Sequence, residues 1–205
     1  NNNDYFILSG LSNKKVLTCI ELDEYQIIMT DRYGFNNEDK EWDKKILKYV
    51  FIGDSFVHGH CVKNEHNLIS SFYENEKLLG NNAIINLGKG GAGPLTTLAT
   101  LIEYLPDNTE NLIYVFHEGS DLRNILDETS NAILMKYLKD RNFKQNLKEK
   151  QKLIDKIILK DQKKVNIEYG TKKNKMNYIN ILYFNNLKRI VINNLIKINY
   201  NFEIF

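Results

Sequence analysis

Tyr49-Val50-Phe51-Ile52-Gly53-Asp54-Ser55-Phe56 is an apolar run that breaks at a Gly-Asp-Ser-Phe turn. The run predicts a buried strand, and the turn presents one hydroxyl, that of Ser55, at the strand's carboxyl end. In an open α/β domain that edge is where ligands bind, so a serine there has a chemical meaning that a loop serine lacks. Serine is also an ordinary helix N-cap, and an Asp-Ser pair can serve only to satisfy free amides. The downstream segments of the chain shift the balance toward chemistry.

Two further strand-to-loop junctions come in order. Asn82-Ala83-Ile84-Ile85-Asn86-Leu87 runs into Gly88-Lys89-Gly90-Gly91-Ala92-Gly93-Pro94, and Asn111-Leu112-Ile113-Tyr114-Val115-Phe116 runs into His117-Glu118-Gly119-Ser120-Asp121-Leu122. Each ends in a glycine-bearing loop that opens a helix. From Lys48 onward the alternation of strand and helix predicts a parallel sheet with helices on both faces. The expected crossover helices are His66 to Leu79 and one running from Pro94, whose missing amide proton costs nothing in a first turn, to about Leu105.

The series resembles the GDSL-like esterases of the SGNH hydrolase family. The family's first block is Gly-Asp-Ser-Leu or a close variant, its second carries an oxyanion-hole glycine and its third reads Gly-x-Asn-Asp. The likeness covers roughly Lys48 to Leu126 and extends more loosely back to Thr30-Asp31-Arg32-Tyr33-Gly34-Phe35-Asn36-Asn37, a lead-in associated with bacterial envelope and polysaccharide-linked members. It implies a flavodoxin-like three-layer α/β/α sandwich over residues 46–205, which the pattern of the chain precedes with a small antiparallel β lead-in over 1–45. It also implies an envelope or periplasmic setting, a small ester or acylated carbohydrate as substrate, and no metal or organic cofactor.

A serine hydroxyl is a poor nucleophile unless a base lies within hydrogen-bond reach, and the developing oxyanion needs donors. The resemblance gives attack to Ser55 and oxyanion binding to its own amide, to the Gly91 amide and to the side chain of the third block. Gly90 is the neighbouring register, and Gly53 shapes the turn. Asp54 is expected to anchor that turn by accepting backbone amides. The third block departs from the family: Ser120 stands where Asn is usual, a shorter and rotatable donor. Loss of one such donor can lower turnover by roughly a hundred- to a thousandfold. Glu118 is placed near the ligand, and Asp121 is expected to cap the following helix.

A second departure concerns the base. The family's Asp-x-x-His block near the C-terminus has no counterpart here, and the four histidines are His58, His60, His66 and His117. A turn of helix carries His58 and His60 away from the Ser55 hydroxyl, His66 reads as a helix start, and His117 reads as a strand-end histidine bonded to its neighbours. The chain begins at Asn1 and stops at Phe205 within an apolar stretch, and the expectation is that both ends are cut and the block lies beyond.

Composition sets the remaining bounds. At 205 residues the chain suits one domain with a real core. A net charge of +2 with lysines scattered among acids gives no nucleic-acid footprint. No run reaches membrane-span length. Cys19 and Cys61 are too few and too isolated to read as a disulfide framework or a metal site. Oligomeric state is left open.

The flanks are read from pattern alone. Asp4–Ser9, Lys15–Ile20 and Tyr25–Thr30 predict a three-run antiparallel meander. Asp127–Lys139, Asn146–Leu159 and Tyr178–Tyr200 predict helices, with Asp161–Lys175 a surface loop.

Three other functions compete. An O-acyltransferase keeps the fold and replaces water with a carbohydrate hydroxyl. A non-catalytic glycan-binding relative suits Ser120 and the missing base. A dinucleotide-binding module would use Gly88-Lys89-Gly90-Gly91-Ala92-Gly93 as Gly-x-Gly-x-x-Gly with Glu118 on the ribose.

Overall fold

A computed structural model of the chain describes residues 4–21, 24–75 and 83–163. Two compact units divide the chain, Asn1–Asp155 and Lys156–Phe205. Of the second, residues 156–163 are described, and they are helical. The helix expected over Tyr178–Tyr200 and the loop expected after residue 163 lie outside the described residues.

The first unit is α/β. Strands β3 (Leu47–Gly53), β4 (Ala83–Asn86) and β5 (Thr109–Val115) form a parallel sheet in the order β4-β3-β5. Its register runs from Leu47 opposite both Ala83 and Thr109 to Phe51 opposite Asn86 and Gly53 opposite Val115. The apolar run before Asp54 is therefore the central strand, with all of Val50 to Gly53 buried. Helices α1 (Ser55–His58), α2 (Leu68–Asn75), α3 (Pro94–Tyr104), α4 (Glu118–Glu128) and α5 (Ala132–Lys139) come after the strands. None among the described residues is long and apolar enough to cross a membrane.

Side-chain alternation along β3 divides the core, because successive residues of a strand point to opposite faces. Tyr49 and Phe51 meet Phe72 of α2 edge to face, at 5.0 Å between ring centroids in both pairs. Phe51 also belongs to a cluster with Val57 and Ile84, against which Ile113 and Val115 of β5 pack. The two outer strands differ. All four residues of β4 are buried, while Leu112 and Tyr114 of β5 are exposed.

Several expectations are corrected. Only β1 (Lys15–Glu21) and β2 (Glu24–Met29) form the antiparallel lead-in, and Asp4–Ser9 is not a strand. That segment is held by side chains instead: the Phe6 amide donates to Gln145 Oε1 at 2.8 Å and Ser9 Oγ pairs with Tyr104 Oη at 3.2 Å. The first crossover helix begins at Leu68, and His66 closes a separate 3-10 turn, Asn64–His66. The helix expected over Asp127–Lys139 is two helices, broken where Asn131 caps α5 by accepting the amides of Ile133 and Leu134. Residues 146–150 are not helical, and the helical run begins at 151.

The cysteines are corrected as well. Cys19 and Cys61 are joined by a disulfide across 42 positions, with a Cα separation of 5.1 Å. Sequence distance hid the pair, because the lead-in hairpin folds back beside the turn after α1.

Candidate functional site

Three loops leave the carboxyl edge of the parallel sheet, and side-chain ties hold them in place. The first is Gly53-Asp54-Ser55. Gly53 has no room for a side chain, since a Cβ there would lie 2.6 Å from the Val115 carbonyl oxygen and 2.8 Å from Val57 Cγ2. Asp54 is buried and caps α1, its Oδ1 accepting the Phe56 amide at 3.0 Å, as expected of a turn aspartate. Ser55 is the first residue of α1 and half-buried. Among the described residues its hydroxyl and its amide have no hydrogen-bond partner.

The second loop comes after β4, and its hinge is Asn86. This buried side chain donates from Nδ2 to the Val57 carbonyl at 2.7 Å and accepts the Gly88 amide at 2.8 Å, so one residue binds α1 to the glycine-rich loop. The Lys89 amide donates to the Gly53 carbonyl at 3.1 Å, which sets the two loops side by side. Lys89 to Ala92 then make a tight turn closed by the Ala92 amide on the Lys89 carbonyl, with Gly91 at φ +72° where glycine is favoured. Gly90 and Gly91 are exposed, a Cβ on either would meet no atom within 4 Å, and neither amide has an acceptor among the described residues.

A few residues on, the amides are spoken for. The buried Glu128 carboxylate, from the end of α4, accepts those of Gly93 at 2.9 Å, Leu95 at 2.8 Å and Thr96 at 3.1 Å, filling the start of α3. The third loop carries side-chain chemistry. His117, not Asp121, caps α4, and Asp121 reaches back so that its Oδ2 accepts the His117 amide at 3.0 Å. His117 Nδ1 lies 2.7 Å from Ser120 Oγ and accepts the Ser120 amide at 3.2 Å. An acceptor Nδ1 puts the proton of a neutral ring on Nε2. Ser120 Oγ also lies 3.3 Å from Asp54 Oδ2, which links the third loop to the first. Glu118 and Gly119 are exposed in the first turn of α4 and join none of these contacts.

Thus Asp54, Ser120, His117 and Asp121 meet in one network, Ser55, Gly90 and Gly91 lie on the first two loops with groups that have no partner among the described residues, and Glu118 stays apart. The His117 ring lies 5.0 Å from that of Phe56, which with Phe116 and Leu122 gives the edge an exposed apolar margin. The other histidines do not reach the Ser55 hydroxyl. Burial pushes His58 down to about 4, with the nearby His60 adding to the shift. A cavity of about 710 Å3 elsewhere, bordered by Asn37, Asn67 and Tyr73 among others, takes in part of the lead-in but none of Gly53, Asp54, Ser55, Gly90, Gly91, Glu118, Ser120 and Asp121.

Sequence reasoning missed the supports. Asn37, from the lead-in, mimics a strand residue: its Oδ1 accepts the Asn86 amide at 2.7 Å and its Nδ2 donates to the Asn86 carbonyl at 3.0 Å. Asn36 Nδ2 donates to the His58 carbonyl at 3.0 Å and steadies the end of α1. Asn37 is itself fixed by Asp31, a buried carboxyl that burial pushes upward although it accepts from Tyr33, Phe35, Asn37 and Trp42. The available signal was Asn86, a polar residue closing an otherwise apolar strand. No family model, no curated protein and no solved structure matches this chain.

Proposed function

We propose that the carboxyl edge of the parallel sheet is an ester-binding site of the serine-hydrolase kind, resembling the SGNH hydrolases, with Ser55 as nucleophile. The observation that carries this is the coincidence of one hydroxyl and three amides, those of Ser55, Gly90 and Gly91, all without a partner among the described residues, on loops tied together by the Lys89–Gly53 bond. A carbonyl oxygen that gains negative charge needs such fixed donors, and they cost no reorganisation when the charge develops. The apolar margin of Phe56, Phe116 and Leu122 suits the acyl part of an acyl or acetyl ester, free or on a carbohydrate. In this proposal the sheet is the middle layer of a three-layer sandwich: α2, which meets Tyr49 and Phe51, forms one outer layer, and α3, which touches β3, forms the other.

Ser120 fills the third donor position in a modified way, because its hydroxyl is already engaged by His117 and Asp54. No described base is hydrogen-bonded to Ser55, so acylation is slow and shows best with an activated acyl or phosphonyl donor. Those same two facts favour a second reading, a glycan- or ester-binding relative that turns nothing over. The dinucleotide reading is disfavoured by Glu128, whose carboxylate occupies the amides at the start of α3 where a pyrophosphate would sit.

A fluorophosphonate probe tests the proposal. Fluoride leaves as the Ser55 Oγ–P bond forms and the hydroxyl proton passes to solvent, and peptide masses after digestion should place one adduct on Ser55 in the wild type and none in Ser55→Ala. An unlabelled wild type, or equal labelling of Ser55→Ala, overturns the nucleophile assignment. Saturable binding of NAD would revive the dinucleotide module.

A further inference from the structure

The disulfide has a third neighbour. One ring nitrogen of His60 and the sulfurs of Cys19 and Cys61 all lie within 4.8 Å of one another, and they are the only such group of potential metal ligands found among the described residues. Two backbone irregularities bring them together. The ladder between β1 and β2 shifts register between Leu17 and Cys19, the kind of bulge that re-aims a side chain. On the other side Cys61 holds φ at +59°, a conformation uncommon for a residue with a side chain. Cys61 is exposed, so the pair is open to solvent thiols, while Cys19 and His60 are half-buried.

We propose that Cys19, Cys61 and His60 form a redox-gated zinc site, closed as the disulfide and opened by reduction. Two thiolates and one imidazole are a donor set for Zn2+, and the fourth tetrahedral position is left to water on the exposed side of Cys61. Thiolates on one tetrahedral ion stand about 3.8 Å apart, given zinc–sulfur bonds of about 2.3 Å. The 5.1 Å between the two Cα atoms permits that separation by side-chain rotation alone. The His60 ring makes no hydrogen bond among the described residues, so its lone pair is available. Beside it, with ring centroids 6.1 Å apart, His58 carries a buried Nδ1 that also lacks a partner.

The chemistry balances with a thiol reductant. Two reductant thiols supply two electrons and two protons, the Cys19–Cys61 bond breaks, and the reductant leaves as its own disulfide. Binding of Zn2+ then releases the two cysteine protons to solvent, and neutral His60 donates a lone pair. Because the His60 amide donates to the Ser55 carbonyl at 3.1 Å, a metal here would take over from the disulfide in anchoring the turn after α1.

The test uses the full chain, oxygen-free, with Co2+ as the spectroscopic probe and far-ultraviolet circular dichroism recorded in parallel. After reduction and removal of the reductant, one equivalent of Co2+ should give a thiolate-to-cobalt band and intense visible bands of a tetrahedral site, both displaced by one equivalent of Zn2+. The oxidised protein should give neither band. His60→Ala, which keeps the disulfide, should bind the metal at least about tenfold more weakly after reduction. If reduction loosens the fold, Zn2+ should restore the wild-type spectrum. The proposal is overturned if the reduced wild type gives no thiolate band, if His60→Ala binds as tightly as wild type, or if a loosened chain stays loose with Zn2+. Any of these would leave a plain structural disulfide. None bears on probe labelling of Ser55, so this proposal and the esterase proposal fail separately.

Discussion

Two sets of backbone amides lie within one glycine-rich segment, and the protein treats them in opposite ways. At the start of α3 the amides of Gly93, Leu95 and Thr96 share one buried carboxylate, Glu128. Two residues earlier the amides of Gly90 and Gly91, in an exposed turn, have no acceptor among the described residues, and neither does that of Ser55 on the adjoining loop. Buried donors left unpaired are expensive, whereas solvent-facing ones are free to serve a ligand. The contrast separates scaffold from site more sharply than the glycine spacing does, since the same Gly-x-Gly pattern covers both.

The largest expected effect is on the closed set. Glu128→Ala strips three amides of their acceptor and should lower stability by about 4 kcal/mol, read as a fall in the urea midpoint. A loss under about 1 kcal/mol would mean that water or another acceptor replaces Glu128, and the contrast would fail.

Next is Lys89, whose ammonium donates, among the described residues, only to the Ile7 carbonyl. Burial brings it down to about 8, and Glu128 opposes that shift. Its folded value thus lies below the unfolded 10.5, and between the two the unfolded chain holds the extra proton. Stability from this group should therefore climb as pH rises from about 8 toward 10.5, by up to about 3 kcal/mol. Subtracting the profile of Lys89→Met isolates it from the buried tyrosines. A flat difference would show that the amine reaches water.

On the open set the effects shrink. Gly91→Ala forces a side chain into positive φ and should cost about 1 kcal/mol, while Gly90→Ala meets no neighbour and should stay within about 0.5 kcal/mol. Equal losses at both would indicate that the turn is not the one described. Smallest is Asp54→Asn, which keeps the cap on Phe56 and should change stability by a few tenths of a kcal/mol, against about 1 kcal/mol for Asp54→Ala. A large loss in Asp54→Asn would show that the charge, through Ser120 and His117, outweighs the cap.

The sheet and its order of loops were legible because each strand carries a short apolar run that leads into a glycine-bearing segment, and because the chain obeys local rules there: Pro94 at the first turn of α3, Asp54 at the cap of α1. Of the candidate residues, Ser55, Gly90 and Gly91 came to one edge of the sheet through that pattern alone. What was not legible depends on distant partners. Asp121 looked like a cap because it precedes an amphipathic run, yet the helix starts three residues earlier and His117 caps it with its ring. Asp4–Ser9 looked like a strand but meets side chains of Gln145 and Tyr104 instead of a neighbouring backbone. The break between α4 and α5 is made by Asn131, a residue that within a helical pattern carries little signal. Cys19 and Cys61 gave none at all.

The ties of the amino-terminal segment also dictate an order of events during synthesis. Phe6 is bonded to Gln145, and Ser12 donates from amide and hydroxyl to Asp155, partners 139 and 143 positions away. The central strand likewise finds both its neighbours later in the chain. As residues emerge from the ribosome in sequence, these ties of Phe6 and Ser12 must wait until nearly the whole of the first unit has appeared, although Gly10 and Leu11 find partners at Gly34 and Thr30 much sooner. Such remote pairings make for slow folding, and residues whose partners come last, such as Phe6, are where a chaperone would gain its longest hold.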